Sequence, residues 1–309
     1  MIDEIKFETN NLIILKDLNL QDEVENFTQK NIKYMNIKNY NINKNFQFSA
    51  SFFLKASSEL LTENDLLKIN KKSKINLIKL TELNYKNSNI MFTGPSISNN
   101  LLIENKENFE DSYNIAINSF IKSEKYCNIC NPNIVIFSDP VFHSSPSNYT
   151  NKFYKDLNKL ILNKNDIFIL APIRDYYIIE KNIINNTNII YLHFTHENTD
   201  LEKLYVKVTG NVATGFAFPL IDYLNTKKNY LYGFTGKSNI KDEIYFWEHN
   251  DEVQYVKEKE EIIKIFPGFF NISYRKYNEE HLKNTIDYLK KNKNKIKIIG
   301  KTYYKCIEN

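Results

Sequence analysis

A histidine set among aromatic side chains is the most reactive-looking feature of this chain. The stretch Ile244-Tyr245-Phe246-Trp247-Glu248-His249-Asn250 holds the only tryptophan. Aromatic neighbours limit water around an imidazole, and an imidazole titrates near neutral pH. His249 is therefore suited to remove a proton from a hydroxyl nucleophile. The same stretch also reads as an aromatic core segment with a surface histidine. The polar flank from Glu248 to Asp251 favours chemistry.

A second group of polar residues recurs where short apolar runs end. Gly94-Pro95-Ser96 follows Asn89 to Thr93, and Asn118 follows Tyr113 to Ile117. Ser138-Asp139-Pro140-Val141-Phe142-His143 closes the run from Ile134, and Ala171-Pro172-Ile173-Arg174 the run from Ile167. Gly233-Phe234-Thr235-Gly236-Lys237-Ser238 closes the run from Tyr230. If those runs are strands of one sheet, their polar ends converge in one cleft. The chain has only seven glycines, none before Gly94. Each is expected to serve a backbone task, such as a positive φ or close approach to a ligand. Thr209-Gly210-Asn211 leads into Val212-Ala213-Thr214-Gly215. Such a turn either offers N–H groups to a carboxylate or phosphate at a helix start, or simply caps the helix.

The elements that must position these residues follow from periodicity. From about residue 87, β-rich runs alternate with amphipathic ones. Strands are expected at Ile90–Thr93, Tyr113–Ile117, Ile134–Ser138, Ile167–Ala171, Ile189–Leu192 and Tyr230–Phe234. Helices are expected at Tyr149–Leu162, Thr214–Leu224 and Tyr277–Lys291. This alternation predicts an α/β fold: a mostly parallel, Rossmann-like sheet with helices on both faces and ligands beyond the strand carboxyl ends. Residues 1–86 read as an N-terminal extension or small subdomain, and 87–309 as the Rossmann-like main domain. In the extension, Asn11–Leu15 and Phe46–Phe53 read as short strands and Ser57–Ile69 as a helix, with Thr62 or Asn64 as its cap.

Composition narrows the functional classes. A net charge of +4 does not argue for nucleic acid. The lysines after Arg275 form either a solvated helix face or a patch for an anionic membrane or acidic glycan. The three cysteines make no disulfide framework, and one pair as Cys127-Asn128-Ile129-Cys130 is a weak zinc or redox signal. Met1 to Lys6 has no signal-peptide character, and no apolar run approaches about 18 residues. A cytoplasmic location is expected, at most peripheral to the inner membrane. No Asp-x-Asp is present, which argues against transferases that hold a nucleotide diphosphate through a divalent metal. No GxGxxG is present, which argues against NAD or FAD. Gly233 to Ser238 is too short between its glycines for a P-loop, and His193 with His196 lacks the helical HExxH spacing.

The order of these motifs resembles the bacterial sialyltransferases of glycosyltransferase family 42 and, more broadly, the sialyltransferase-like variant of the GT-A fold. The resemblance covers about residues 87 to 255. It implies that Gly94, Pro95, Ser96 and Asn118 contact the nucleotide of a CMP-sugar. It implies donor contacts for Thr209, Gly210 and Asn211, where the family has Thr-Ser-Gly, and for Gly233 and Thr235, which stand in a Gly-Ile-Asp-type turn. Asp139-Pro140 replaces the family's Asn-Pro. Tyr245 matches the lid tyrosine that steadies the departing phosphate, so no metal or cofactor is implied. His249 matches the general base. The donor sugar is then sialic acid, Kdo or a related nonulosonate, and the acceptor a surface glycan. In a Kdo-type enzyme that retains configuration, Asp139 would instead act as nucleophile. A homo-oligomer is compatible with this reading. Two alternatives remain. One is a pterin pyrophosphokinase-like or flagellin-modifying protein on the same sheet. The other is a non-catalytic sugar-binding or scaffold protein.

Overall fold

The computed structural model describes residues 12–15, 33–36, 61–145, 147–164, 166–184, 188–209, 211–236, 249–265 and 274–307. Two short strands, β1 (Leu12–Leu15) and β2 (Lys33–Asn36), pair in parallel. The expected strand at 46–53 lies outside the described residues.

Helix α1 (Glu63–Glu82) begins at a reciprocal cap. The Asp65 N–H donates to the Thr62 hydroxyl at 3.1 Å, and the Thr62 N–H donates to the Asp65 carboxylate at 3.0 Å. Two helix-start donors are satisfied at once, which sets the boundary at Thr62 rather than Ser57.

The main body then runs β3 (Asn87–Met91), α2 (Asn99–Glu104), β4 (Ser112–Ile117), α3 (Glu124–Cys130), β5 (Ile134–Ile136), α4 (Pro140–His143) and α5 (Asn148–Asn163). It continues with β6 (Phe168–Pro172), α6 (Tyr176–Asn182), β7 (Ile189–Thr195) and β8 (Tyr205–Lys207). Helix α7 opens as a wide turn (Ala213–Ala217) and continues as Phe218–Tyr223. The last elements are β9 (Lys228–Tyr232), α8 (Val256–Ile265), α9 (Tyr274–Lys291) and β10 (Ile296–Ile299). No helix among the described residues is long and apolar enough to cross a membrane.

Strands β3 to β10 form one sheet in the order β10-β9-β3-β4-β5-β6-β7-β8, and every pairing is parallel. The central strands are buried on both faces, as a covered parallel sheet requires. One face carries Met91, Ala116, Val135 and Ile169 beneath α2, α3, α5 and α8. The other carries Ile90, Ile115, Ile134 and Leu170 beneath α7 and α9. This is a Rossmann-like α/β arrangement.

Three strands were not foreseen, β2, β8 and β10. Tyr205-Val206-Lys207 buries only its middle residue, and Ile296 to Ile299 sits inside a lysine-rich stretch. A second surprise is where α1 lies. It runs along β7 and bonds it with side chains. The Tyr191 N–H donates to Ser73 Oγ at 3.0 Å, Asn76 Nδ2 donates to the Ile189 carbonyl at 2.9 Å, and His193 Nε2 meets Asn70 Oδ1 at 2.8 Å.

Candidate functional site

Strand order turns back between β3 and β9, since β4 to β8 extend one way and β9 and β10 the other. In open α/β sheets this switch point, beyond the carboxyl ends, is where ligands collect. Gly94 and Ser96 emerge there from β3, and Gly233 and Thr235 from β9. They interlock. The Gly94 N–H donates to the Gly233 carbonyl at 3.1 Å, the Ser96 N–H donates to the Thr235 hydroxyl at 3.2 Å, and the two hydroxyls stand 2.8 Å apart. A Cβ on Gly94 would lie 2.2 Å from the Gly233 oxygen, and one on Gly233 2.4 Å from the Phe92 oxygen. Gly233 also holds φ +65. The close approach that demands glycine here is therefore between two turns of the chain itself. Pro95 is exposed at the tip.

His249 reaches the same place. Its Nδ1 stands 2.8 Å from the Thr93 hydroxyl, immediately before Gly94. Asn250 fixes the approach, with its N–H on the Thr93 carbonyl at 2.8 Å and its side-chain amide on the Ile97 carbonyl at 2.6 Å. Burial, with the positive charge of Lys259, lowers the His249 pKa to about 4. The imidazole is neutral at pH 7.

Along the rim, Asn118, Asp139 and Arg174 close the adjacent strands β4, β5 and β6. Asn118 takes φ +50, a left-handed turn that asparagine tolerates better than most residues. Asp139 caps α4, with the Val141 N–H on Oδ1 at 3.0 Å. Burial raises its pKa to about 6 against the opposing pull of Val141 and Arg174. Arg174 donates to the Ser138 carbonyl at 2.7 Å and lies over the Phe194 ring at 4.8 Å. Its Nε is 3.5 Å from Asp175 Oδ1. Asp175 is wholly buried, and burial lifts its pKa to about 6 as well. Sequence reading named Arg174 but passed over Asp175, although the adjacent charges were visible.

Thr209 and Asn211 lie at the start of α7. The Asn211 carboxamide oxygen accepts from the Ala213 and Thr214 N–H groups at 2.5 and 3.3 Å, and its amide lies against His281 of α9. The Thr214 hydroxyl donates to the Thr209 hydroxyl at 3.0 Å. The first helix donors are thus met by the chain's own asparagine, and the Thr209 hydroxyl donates in turn to the Asn211 carbonyl at 3.2 Å. Gly210 and Tyr245 lie outside the described residues.

The remaining candidates have structural partners. Cys127 and Cys130 are both buried on α3, where burial pushes the Cys127 thiol up to about 12 and Cys130 up too. Such thiols are poor nucleophiles at neutral pH. His193 is engaged by Asn70.

The structure thus brings Gly94, Ser96, Gly233, Thr235 and His249 together, sets Asn118 and Asp139 beside them, and puts Thr209 and Asn211 at the start of the covering helix. No protein-family model matches the chain, and no curated protein matches it.

Proposed function

We propose that this protein is a metal-independent glycosyltransferase that moves an acidic sugar from a CMP donor to a glycan hydroxyl, with His249 as general base. The single observation that carries the reading is the Thr93–His249 contact beside the Gly94–Ser96 turn, at the switch point of a parallel sheet. The motif order shared with the sialyltransferase-like enzymes supplies the substrate class.

In this mechanism the nucleotide lies against Gly94 to Ser96 and Asn118. With Nδ1–H donated to Thr93, the Nε2 lone pair of His249 faces the acceptor. The acceptor oxygen forms a bond to the anomeric carbon as its proton passes to Nε2. The bond from that carbon to the phosphate oxygen breaks, and CMP leaves with the electron pair. Tyr245 donates a hydrogen bond to the departing phosphate. The Thr209–Asn211 turn holds the sugar carboxylate, with the Thr209 hydroxyl turning from the Asn211 carbonyl to donate to it. The low proton affinity of His249 keeps it unprotonated before reaction.

Thermal unfolding in the presence of CMP, UDP and ATP, each with and without Mg²⁺, tests this. Stabilisation selective for CMP and independent of metal is expected. His249→Ala is expected to keep that stabilisation while transfer falls at least about 100-fold. Stabilisation by ATP only with Mg²⁺ would favour a pyrophosphokinase-like enzyme. No nucleotide response at all would overturn the transferase.

A further inference from the structure

Among the described residues, ten buried side-chain atoms have no hydrogen-bond partner, and seven of them belong to one cluster at the ends of β4, β5 and β6. They are Asn118 Oδ1, His143 Nε2, Ser144 Oγ, Tyr154 Oη, Arg174 Nε and both oxygens of Asp175. His143, Ser144, Tyr154 and Asp175 are all less than a tenth exposed. Buried polar atoms are almost always paired, so a concentration of this kind needs an explanation. The groups at the ends of β5 and β6 adjoin one another. Ser144 lies within reach of both Asp175 and Tyr154 without the geometry of a full hydrogen bond, Asp139 and Asp175 feel each other's charge, and the Phe137 ring lies 5.4 Å from His143 and 6.2 Å from Tyr154.

The kinds of atom say what is missing. His143 Nδ1 is 2.9 Å from the Asp139 carbonyl. A carbonyl only accepts, so Nδ1 carries the hydrogen and Nε2 is a bare acceptor. Asn118 Oδ1 and the two Asp175 oxygens also only accept. Against these four stands one pure donor, Arg174 Nε, which faces Asp175 Oδ1 at 3.5 Å as an ion pair without a hydrogen bond, while the Ser144 and Tyr154 hydroxyls can do either. A phosphate or carboxylate brings acceptors alone and meets the charges of Asp139 and Asp175. A metal cation meets the Arg174 guanidinium. Hydroxyl groups supply donors for Asp175, Asn118 and His143 and an acceptor for Arg174 at the same time.

We propose that Asn118, His143, Ser144, Tyr154, Arg174 and Asp175 form the binding site for the hydroxyl-bearing side arm of a sugar. Asn118, Asp139 and Arg174 are partly exposed at the rim and form its entrance, and the buried groups lie behind them. That this sugar is the one carried by CMP rests on the transferase reading. The hydroxyl-binding character of the cluster does not.

The test uses the full chain with Ser144→Ala and Tyr154→Phe combined, both of which remove an unpaired hydroxyl without adding volume. Free sialic acid and CMP are titrated separately by ligand-observed NMR. The expected result is wild-type binding of the sugar, at least tenfold weaker binding by the variant, and equal CMP affinity for both. Equal sugar affinity in both proteins, or no sugar binding by wild type, would overturn the proposal and leave ordered water as the partner of these atoms. Sugar binding that depends on Tyr154 in a protein that ignores CMP would retain this site and sink the transferase.

Discussion

The two halves of the rim are built on opposite terms. At β3 and β9 the polar groups pair with one another: Gly94 with Gly233, Ser96 with Thr235, Thr93 with His249. At β4, β5 and β6 the buried groups are held close, yet seven of their polar atoms make no hydrogen bond. Unpaired buried polar groups cost stability, whereas interlocked turns supply it. The difference separates a frame from a receptor. The first half fixes where two strands end and where the histidine stands. The second half is kept in a state that only an outside partner completes.

The sharpest way to break this contrast is to wedge the interlocked half apart. Gly94→Ala sets a methyl group against backbone that cannot turn away. It is expected to cost about 3 kcal/mol or more, read as a lower urea midpoint. Gly215→Ala meets the Thr209 hydroxyl at 3.0 Å and the Lys207 carbonyl at an ordinary 3.9 Å, and is expected to cost less than half as much. Equal midpoints for the two variants would show that the turns at β3 and β9 yield freely.

On the other half the expected sign is reversed. Tyr154→Phe removes a buried hydroxyl that has no partner. The variant is expected to gain about 1 kcal/mol in the absence of ligand, seen as a raised Tm. Loss of stability would mean that the hydroxyl is already satisfied.

The smallest effect expected is a pH dependence. Asp175 has a folded pKa raised to about 6 by burial. The folded chain therefore holds this proton more tightly than the unfolded one. The resulting stabilisation is full at low pH and is lost as pH rises through about 6. Asp175→Asn should gain on wild type between pH 4 and pH 7, and a constant difference across that range would refute the burial argument. His249 has the opposite sign. Its folded pKa is lowered to about 4, so its contribution is full above the ordinary histidine range and fades as pH falls toward 4. Transfer activity should accordingly keep its acid limb near pH 4 rather than 6.5, measured as kcat/KM against pH.

The strand ends were legible because each is a short apolar run that stops at a turn residue. Ile134-Val135-Ile136 before Ser138-Asp139 is the clearest case. The convergence of Gly94 with His249 followed from that pattern only once strand order was known, since the residues are far apart in sequence. Gly94 itself shows the limit. Its rarity signalled a close approach, but the approaching group is the Gly233 carbonyl, which no local pattern identifies. β10 was hidden by the lysines around it, whose side chains point away from a strand that still buries Ile296 and Ile299. The contacts of Asn70, Ser73 and Asn76 were hidden by the abundance of asparagine, and by the fact that their partners lie more than a hundred residues away.

Those contacts carry a last consequence. Parallel β7 meets β8 only from His193 onward, so its earlier amide and carbonyl groups would otherwise stand open as a template for a strand from another chain. Helix α1 occupies that template with two polar side chains, Ser73 on the Tyr191 N–H and Asn76 on the Ile189 carbonyl. A protein stripped of residues 63–82 would gain a sticky flank, and self-association rather than unfolding would be its first symptom.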